Sequence, residues 1–179
     1  MGSSLDGISM LASLASGLQG AAINLAFTLG TLFAVVGAGG YLARQSWLNR
    51  KAPGQAASGG NVVAWILLCG ALAGLDQLIS AGGRQLGWQV SFDAISYVSE
   101  GTFGQGAVAA NALLSLLRMA GVWFCFSGVM LWRRSRKDGH TGLSAGNDVN
   151  SGTVKFVIGI MMVCSPYLLD AIQKSLGLR

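Results

Sequence analysis

The sequence predicts an all-α integral membrane protein, with four transmembrane helices arranged as two tandem hairpins behind a short N-terminal amphipathic helix. Three observations carry this. First, 52% of the 179 residues are hydrophobic and only 11% are charged, against about a quarter charged in soluble domains. Second, 27 glycines in so apolar a chain suit membrane helices, where small residues let backbones approach closely. Third, the aromatic, apolar run of residues 120–131 stops at Trp132-Arg133-Arg134-Ser135-Arg136-Lys137. A tryptophan followed by clustered cations marks a helix leaving hydrocarbon for cytoplasmic headgroups, because indole favours the interface and cytoplasmic loops collect positive charge.

Residues 1–20 form an N-terminal interfacial segment. Ile8, Leu11, Leu14 and Leu18 share one helical face, with Ser9, Ser13, Ser16 and Gln19 elsewhere, so a short helix lying in the interface is expected. It lacks the cationic start of a secretory signal peptide and is expected to remain in the mature protein. Residues 21–43 are apolar apart from Asn24 and Thr28, and their length at about 1.5 Å per residue matches a hydrocarbon core of about 30 Å. Ala34 and Ala38 stand at the small-xxx-small spacing, which predicts a neighbouring helix on that face. Tyr41 and Trp47 bracket Arg44, and Arg50 and Lys51 follow. This is a second basic exit, chemically like the one at Arg133.

Residues 52–61, with Pro53, Gly54, Gly59 and Gly60, read as a loop. Residues 62–83 return through the membrane, with Gly70 and Gly74 placed for close helix contact and one acid, Asp76, near the far end. These elements make a first hairpin over residues 21–83. Residues 84–106 are a connector of mixed polarity, containing Trp88, Phe92, Asp93, Tyr97 and Glu100. A short surface helix is expected there, outside the cytoplasm, because acids outnumber the single cation Arg84. The second hairpin occupies residues 107–179. Its first span, 107–132, contains Arg118; its polar loop is 133–152; its second span, 153–172, is kinked at Pro166, with Lys155 close enough to the start to snorkel. Both halves follow one plan, which reads as a parallel internal repeat with both termini extracytoplasmic and both basic loops cytoplasmic.

Chemistry is scarce. Cys69, Cys125 and Cys164 lie inside apolar runs and read as small buried hydrophobes, not a disulfide or metal framework. With one histidine, His140, in a glycine-rich loop, no metal or nucleophile–base constellation can be built. A non-enzymatic protein without metal or cofactor is expected. The formal net charge of +5 sits at helix ends rather than on one soluble face, which favours lipid headgroups over sequence-specific nucleic-acid contact. Eight of the 12 basic residues fall on one side: Arg44, Arg50, Lys51, Arg133, Arg134, Arg136, Lys137 and Lys155. All but Lys155 are the candidate headgroup-binding set, since juxtamembrane cations attract anionic phospholipid. Asp76, Arg118 and Asp170 form the second constellation. Each lies about 22 Å from the basic side along its helix, so a buried ion pair at one depth is expected, and a transport site is the alternative.

Two apolar helices joined by a short, basic, glycine-containing cytoplasmic loop resemble the plan of conjugative pilins. The doubled version resembles the small inner-membrane proteins of type IVB conjugation and secretion systems, the family of TraQ and IcmC (DotE), through runs such as Gly39-Gly40-Tyr41-Leu42-Ala43-Arg44 and Gly128-Val129-Met130-Leu131-Trp132-Arg133-Arg134. The resemblance implies a structural pilin or pilin-like subunit serving conjugal DNA transfer. It would be resident in a bacterial inner membrane or extruded as an extracellular pilus. Its implied partners are further copies of itself, anionic phospholipid and other type IV secretion subunits.

Overall fold

A computed structural model of the chain describes residues 2–51, 59–90, 92, 106–136 and 142–175, apart from the side chains of 2–9, 11, 12, 15, 16, 106, 170 and 173. Among the described residues all regular structure is helical: α1 (Gly2–Lys51), α2 (Gly59–Ala73), α3 (Leu75–Gln85), α4 (Gly106–Ser135), α5 (Gly142–Val163) and α6 (Ser165–Ser175). Two stretches are long and apolar enough to cross a membrane, Gly17–Lys51 of α1 and Ala107–Ser135 of α4. A third crossing results if α2 and α3 are one broken span.

The expected boundary at residue 20 is absent. α1 is one unbroken helix of 50 residues, about 75 Å long, and Leu14 and Leu18, expected on an interfacial face, simply continue its exposed surface. Its polar residues do not interrupt it, because the Thr28 and Thr31 hydroxyls donate back to the Asn24 and Phe27 carbonyls at 2.8 and 3.0 Å, a bond that a hydroxyl one turn on can make within the helix. The expected small-residue contact is present: Ala34 is buried and Ala38 packs against the core.

The expected span 62–83 is not straight. α2 stops at Ala73 and α3 starts at Leu75, with 84° between them. Gly74 makes the corner, at φ −104° and ψ 38° with no side-chain cap, while its N–H still reaches the Gly70 carbonyl at 2.9 Å. Gly70 itself faces open space, so this glycine pair makes a bend, not a helix contact. The reason lies beyond the corner. α3 buries Leu75, Ile79 and Gly83 and exposes Asp76, Gln77, Arg84 and Gln85, a one-sided pattern that suits an interface and not a lipid-surrounded span. Gly87, at φ 84°, then reverses the chain, with the Trp88 N–H donating to the Gly83 carbonyl at 3.0 Å. The returning segment packs Trp88, Val90 and Phe92 on the core, Phe92 meeting Phe27 edge-on at 5.1 Å.

α4 packs most extensively on α5. Gly121 and Gly128 on α4 stand seven residues apart, as do Gly152 and Gly159 on α5, and the helices run antiparallel so that these four meet in pairs. A Cβ on Gly121 would lie 2.7 Å from the Gly159 carbonyl oxygen, and one on Gly128 2.7 Å from that of Gly152. Only glycine admits such an approach. α5 begins at Gly142, well before the expected residue 153, and ends at Val163. The expected fourth span therefore divides: Pro166 has no N–H to continue the ladder, and α6 starts after a break at Cys164. α3 and α6 are both 11 residues long, each following a one-residue break.

Gly128→Leu is expected to cost about 1–3 kcal/mol, the range for overpacking, seen as a lower thermal midpoint in detergent. Gly39→Leu, where a Cβ enters open space, should shift stability by less than about 0.5 kcal/mol. Equal effects would remove the glycine contact as the reason α4 and α5 hold together.

Candidate functional site

The basic end of the helices is built around Arg133, in the last turn of α4. The sequence places it in an exposed cluster, but the structure turns it inward. Its Nη1 donates to the Phe33 carbonyl of α1 at 3.2 Å, and its guanidinium lies over the Trp65 ring of α2, 5.1 Å from the centroid. Gly37 provides the room, since a Cβ there would collide with the Arg133 guanidinium. Trp65 is itself fixed. Its indole donates to the Gly37 carbonyl at 3.3 Å, and Tyr41 stacks on it at 4.9 Å. A partly buried arginine over tryptophan gains about 0.5–2 kcal/mol, and here it ties three helices together.

The remaining candidates of the headgroup set divide. Arg134 is exposed and its Nε stands 3.6 Å from Asp148 Oδ2 of α5. Arg44 and Arg50 are exposed at the end of α1, and Lys51 stands over the Trp47 ring at 5.6 Å. Arg136 lines an open cleft of about 490 Å³ between α4 and α5, together with Ser135, Gly146, Val149, Asn150 and Thr153. Trp132 supports its wall, its indole donating to the Val149 carbonyl and to Thr153 Oγ1, both at 3.2 Å. Lys137 lies outside the described residues. Exposed cations flanking a cleft edged by hydroxyl and amide groups can hold a phosphate or other hydrated anion, arginine by its planar fork.

At the opposite end, Arg118 is 1% exposed, the largest fully buried side chain among the described residues. Asp76 stands on the exposed surface of α3 and is not brought into an ion pair with Arg118, because the corner at Gly74 carries it off the line of the span. The Asp170 side chain lies outside the described residues. Gln19 of α1 is also buried, at 3% exposure. Among the described residues no group of three or more His, Cys, Asp or Glu could hold a metal ion.

The chain matches no protein family, no curated protein and no solved structure.

Sequence reasoning missed Trp65 and Gly37 as partners of Arg133, which lie on other helices. It also missed the four contact glycines, although their equal seven-residue spacing on two adjacent apolar segments is visible in the chain. Arg133→Gln and Trp65→Leu are each expected to lower stability, and to couple by about 0.5–2 kcal/mol in a double-mutant cycle of unfolding in detergent. Arg134→Gln should change stability by less than about 1 kcal/mol, as an exposed pair does.

Proposed function

We propose that the chain is a non-enzymatic, membrane-embedded structural subunit of the pilin-like kind, serving a conjugation or type IV secretion apparatus and associating with copies of itself and with anionic phospholipid. The observation that carries the reading is the α4–α5 pair: two helices closed on each other through glycine, ending in a tryptophan and a set of arginines, with aliphatic side chains such as Leu113, Leu117, Val157 and Ile158 left on the outside. This is the helical plan that the sequence shares with conjugative pilins. The exposed aliphatic surface of α1, including Leu25, Leu32, Val35 and Val36, adds area for lipid or a neighbouring copy. A transporter or channel built on the Asp76, Arg118 and Asp170 layer is less well supported, since Asp76 is exposed and Arg118 is buried.

In this reading the chain forms two hairpins in a bacterial inner membrane, or in a pilus drawn from it, with the bent α2–α3 and the interrupted α5–α6 as returning arms. Both basic ends are cytoplasmic, and both termini and Asp93 lie outside. Lys51→Cys and His140→Cys should then react with a membrane-impermeant thiol reagent only from the cytoplasmic side, and Asp93→Cys only from outside. Labelling of Lys51→Cys in intact cells would defeat this topology.

Purified from membranes, the protein is expected to form rings or filaments in negative stain and to carry near-stoichiometric anionic phospholipid by mass spectrometry. Replacing Arg134 and Arg136 with Gln should reduce the lipid carried. Single-copy particles without lipid would overturn the proposal.

A further inference from the structure

α1 has two faces. One is built into the chain's own core: Ile23, Ala26 and Ala34 are buried, and Gly30 lies against the Leu72 carbonyl of α2. The other is exposed along most of the helix. On it Leu14, Leu18, Leu25, Leu32, Val35 and Leu42 are each 45–67% exposed, and Ala21, Thr28, Gly39 and Ser46, exposed as well, fill the places between and after them. In chain order these positions alternate steps of four and three residues from 14 to 46. That is the seam of a coiled coil, sustained beyond the length of about three to four heptads that distinguishes one.

Lipid covers only part of this face. A hydrocarbon layer of about 30 Å, counted back from the aromatic and arginine exit at Tyr41 at about 1.5 Å per residue, ends near Ala21. Leu18 and Leu14 stand about 5 and 10 Å further out, among and beyond the headgroups, and the exposed Met10 further still. Apolar side chains at that level need protein to cover them, and so does the helix, since an isolated helix is marginal in water. Copies inserted the same way up carry α1 in the same direction and at the same depth. A second α1 therefore matches the stripe in length and level. Each seam residue then meets its own counterpart across a two-fold axis, which an uncharged seam allows: residues 7–43 contain no Asp, Glu, Lys or Arg, and Arg44 and Lys51 fall off the seam. A contact from Leu14 to Ser46, about 48 Å long on a helix about 10 Å wide, covers about 1,000 Å² over two copies, the size from which specific interfaces are recognised.

We propose that α1 pairs with the α1 of a second copy as a parallel, in-register coiled coil along this seam, from the basic end of the membrane to beyond its outer face. Gly39, where a Cβ would enter open space, lets the two backbones close near the basic end. Thr28 is the polar residue in the middle of the seam, and a polar seam residue fixes register. Asn24, exposed one turn before it, adds an amide of the kind that hydrogen-bonds across helices in lipid. The inference rests on the reading of a membrane subunit that associates with its own copies, and it names the surface through which it does so.

Disulfide trapping in native membranes tests it. The chain's own Cys69, Cys125 and Cys164 are buried, so the parent protein gives the blank. Leu18→Cys, Leu25→Cys and Leu32→Cys put a thiol on the seam. Phe33→Cys, one position off it, and Val157→Cys on α5, both exposed in the parent, are the controls. After mild oxidation with copper phenanthroline, each seam variant should run on a non-reducing gel as a linked dimer at about five times the yield of either control or more, because facing seam positions bring the thiols within disulfide reach. Leu18→Cys decides whether the pairing continues past the hydrocarbon. Yields at Leu18→Cys and Leu25→Cys no greater than at Phe33→Cys overturn the proposal. Dimers at Val157→Cys alone also overturn it and move the contact to α5. In that case the rings or filaments expected above still form, so failure of the seam is distinguishable from failure of self-association.

Discussion

The fold depends on how closely α4 and α5 approach. In hydrocarbon, apolar side chains gain nothing by leaving lipid for protein, so helices associate through dense van der Waals contact and polar links. Gly121, Gly128, Gly152 and Gly159 supply the first of these. They bring backbone carbonyls to within 2.8 Å of where a Cβ would stand, and the larger Val122, Val129 and Val163 are all 0% exposed. Cys125 is placed by the same approach, its thiol directed to the Phe156 carbonyl at 3.5 Å. Arg133 supplies the second. It reaches from the end of this pair to a backbone carbonyl of α1 and an indole of α2, and so fixes how α1 and α2 sit against α4 and α5.

Much of the architecture was legible because it follows from hydropathy. The long apolar runs, the end of a helix just past Trp132-Arg133-Arg134, the contact at Ala34 and Ala38, and the interruption at Pro166 are all local properties. The corner at Gly74 was not legible by the same route, because a hydropathy window averages over residues 75–85 and loses their one-sided pattern. Leu75, Ile79 and Gly83 repeat every four residues, with polar residues between them, and that period identifies α3 as a surface helix. Gly70 and Gly74 were open to two readings, contact or breakage, and only the neighbours in space decide between them. The same holds for Arg133. Its charge suggested solvent, and nothing in its local sequence shows that Trp65 and Gly37, about seventy and a hundred positions away, form its seat.

α2 is short for a membrane: it has 15 residues, about 22 Å, against a hydrocarbon thickness of about 30 Å, and it is extended by the bent α3 of 11 residues. α5 has 22 residues and is followed, after a one-residue break, by α6 of 11. A break of this kind at membrane depth is tolerated only where protein covers the freed backbone. That cover is present at both corners. Leu75 beside Gly74 is 1% exposed and Cys164 is 0% exposed. The far end of α3 also covers the α5–α6 break, since Gly82 and Gly83 lie against Ile160 and Cys164.

This cover explains why Gly82 and Gly83 are small. A Cβ at position 82 would collide with Ile160 of α5, and one at position 83 would collide with Val90 of the returning segment. With α3 seated, Trp88, Val90 and Phe92 pack on the same core. The basic end of the α4–α5 pair stays open along α5. The two ends therefore differ for a physical reason: one is capped by a bent helix over glycine, and the other is held apart by Trp132, whose indole braces α5 through Val149 and Thr153.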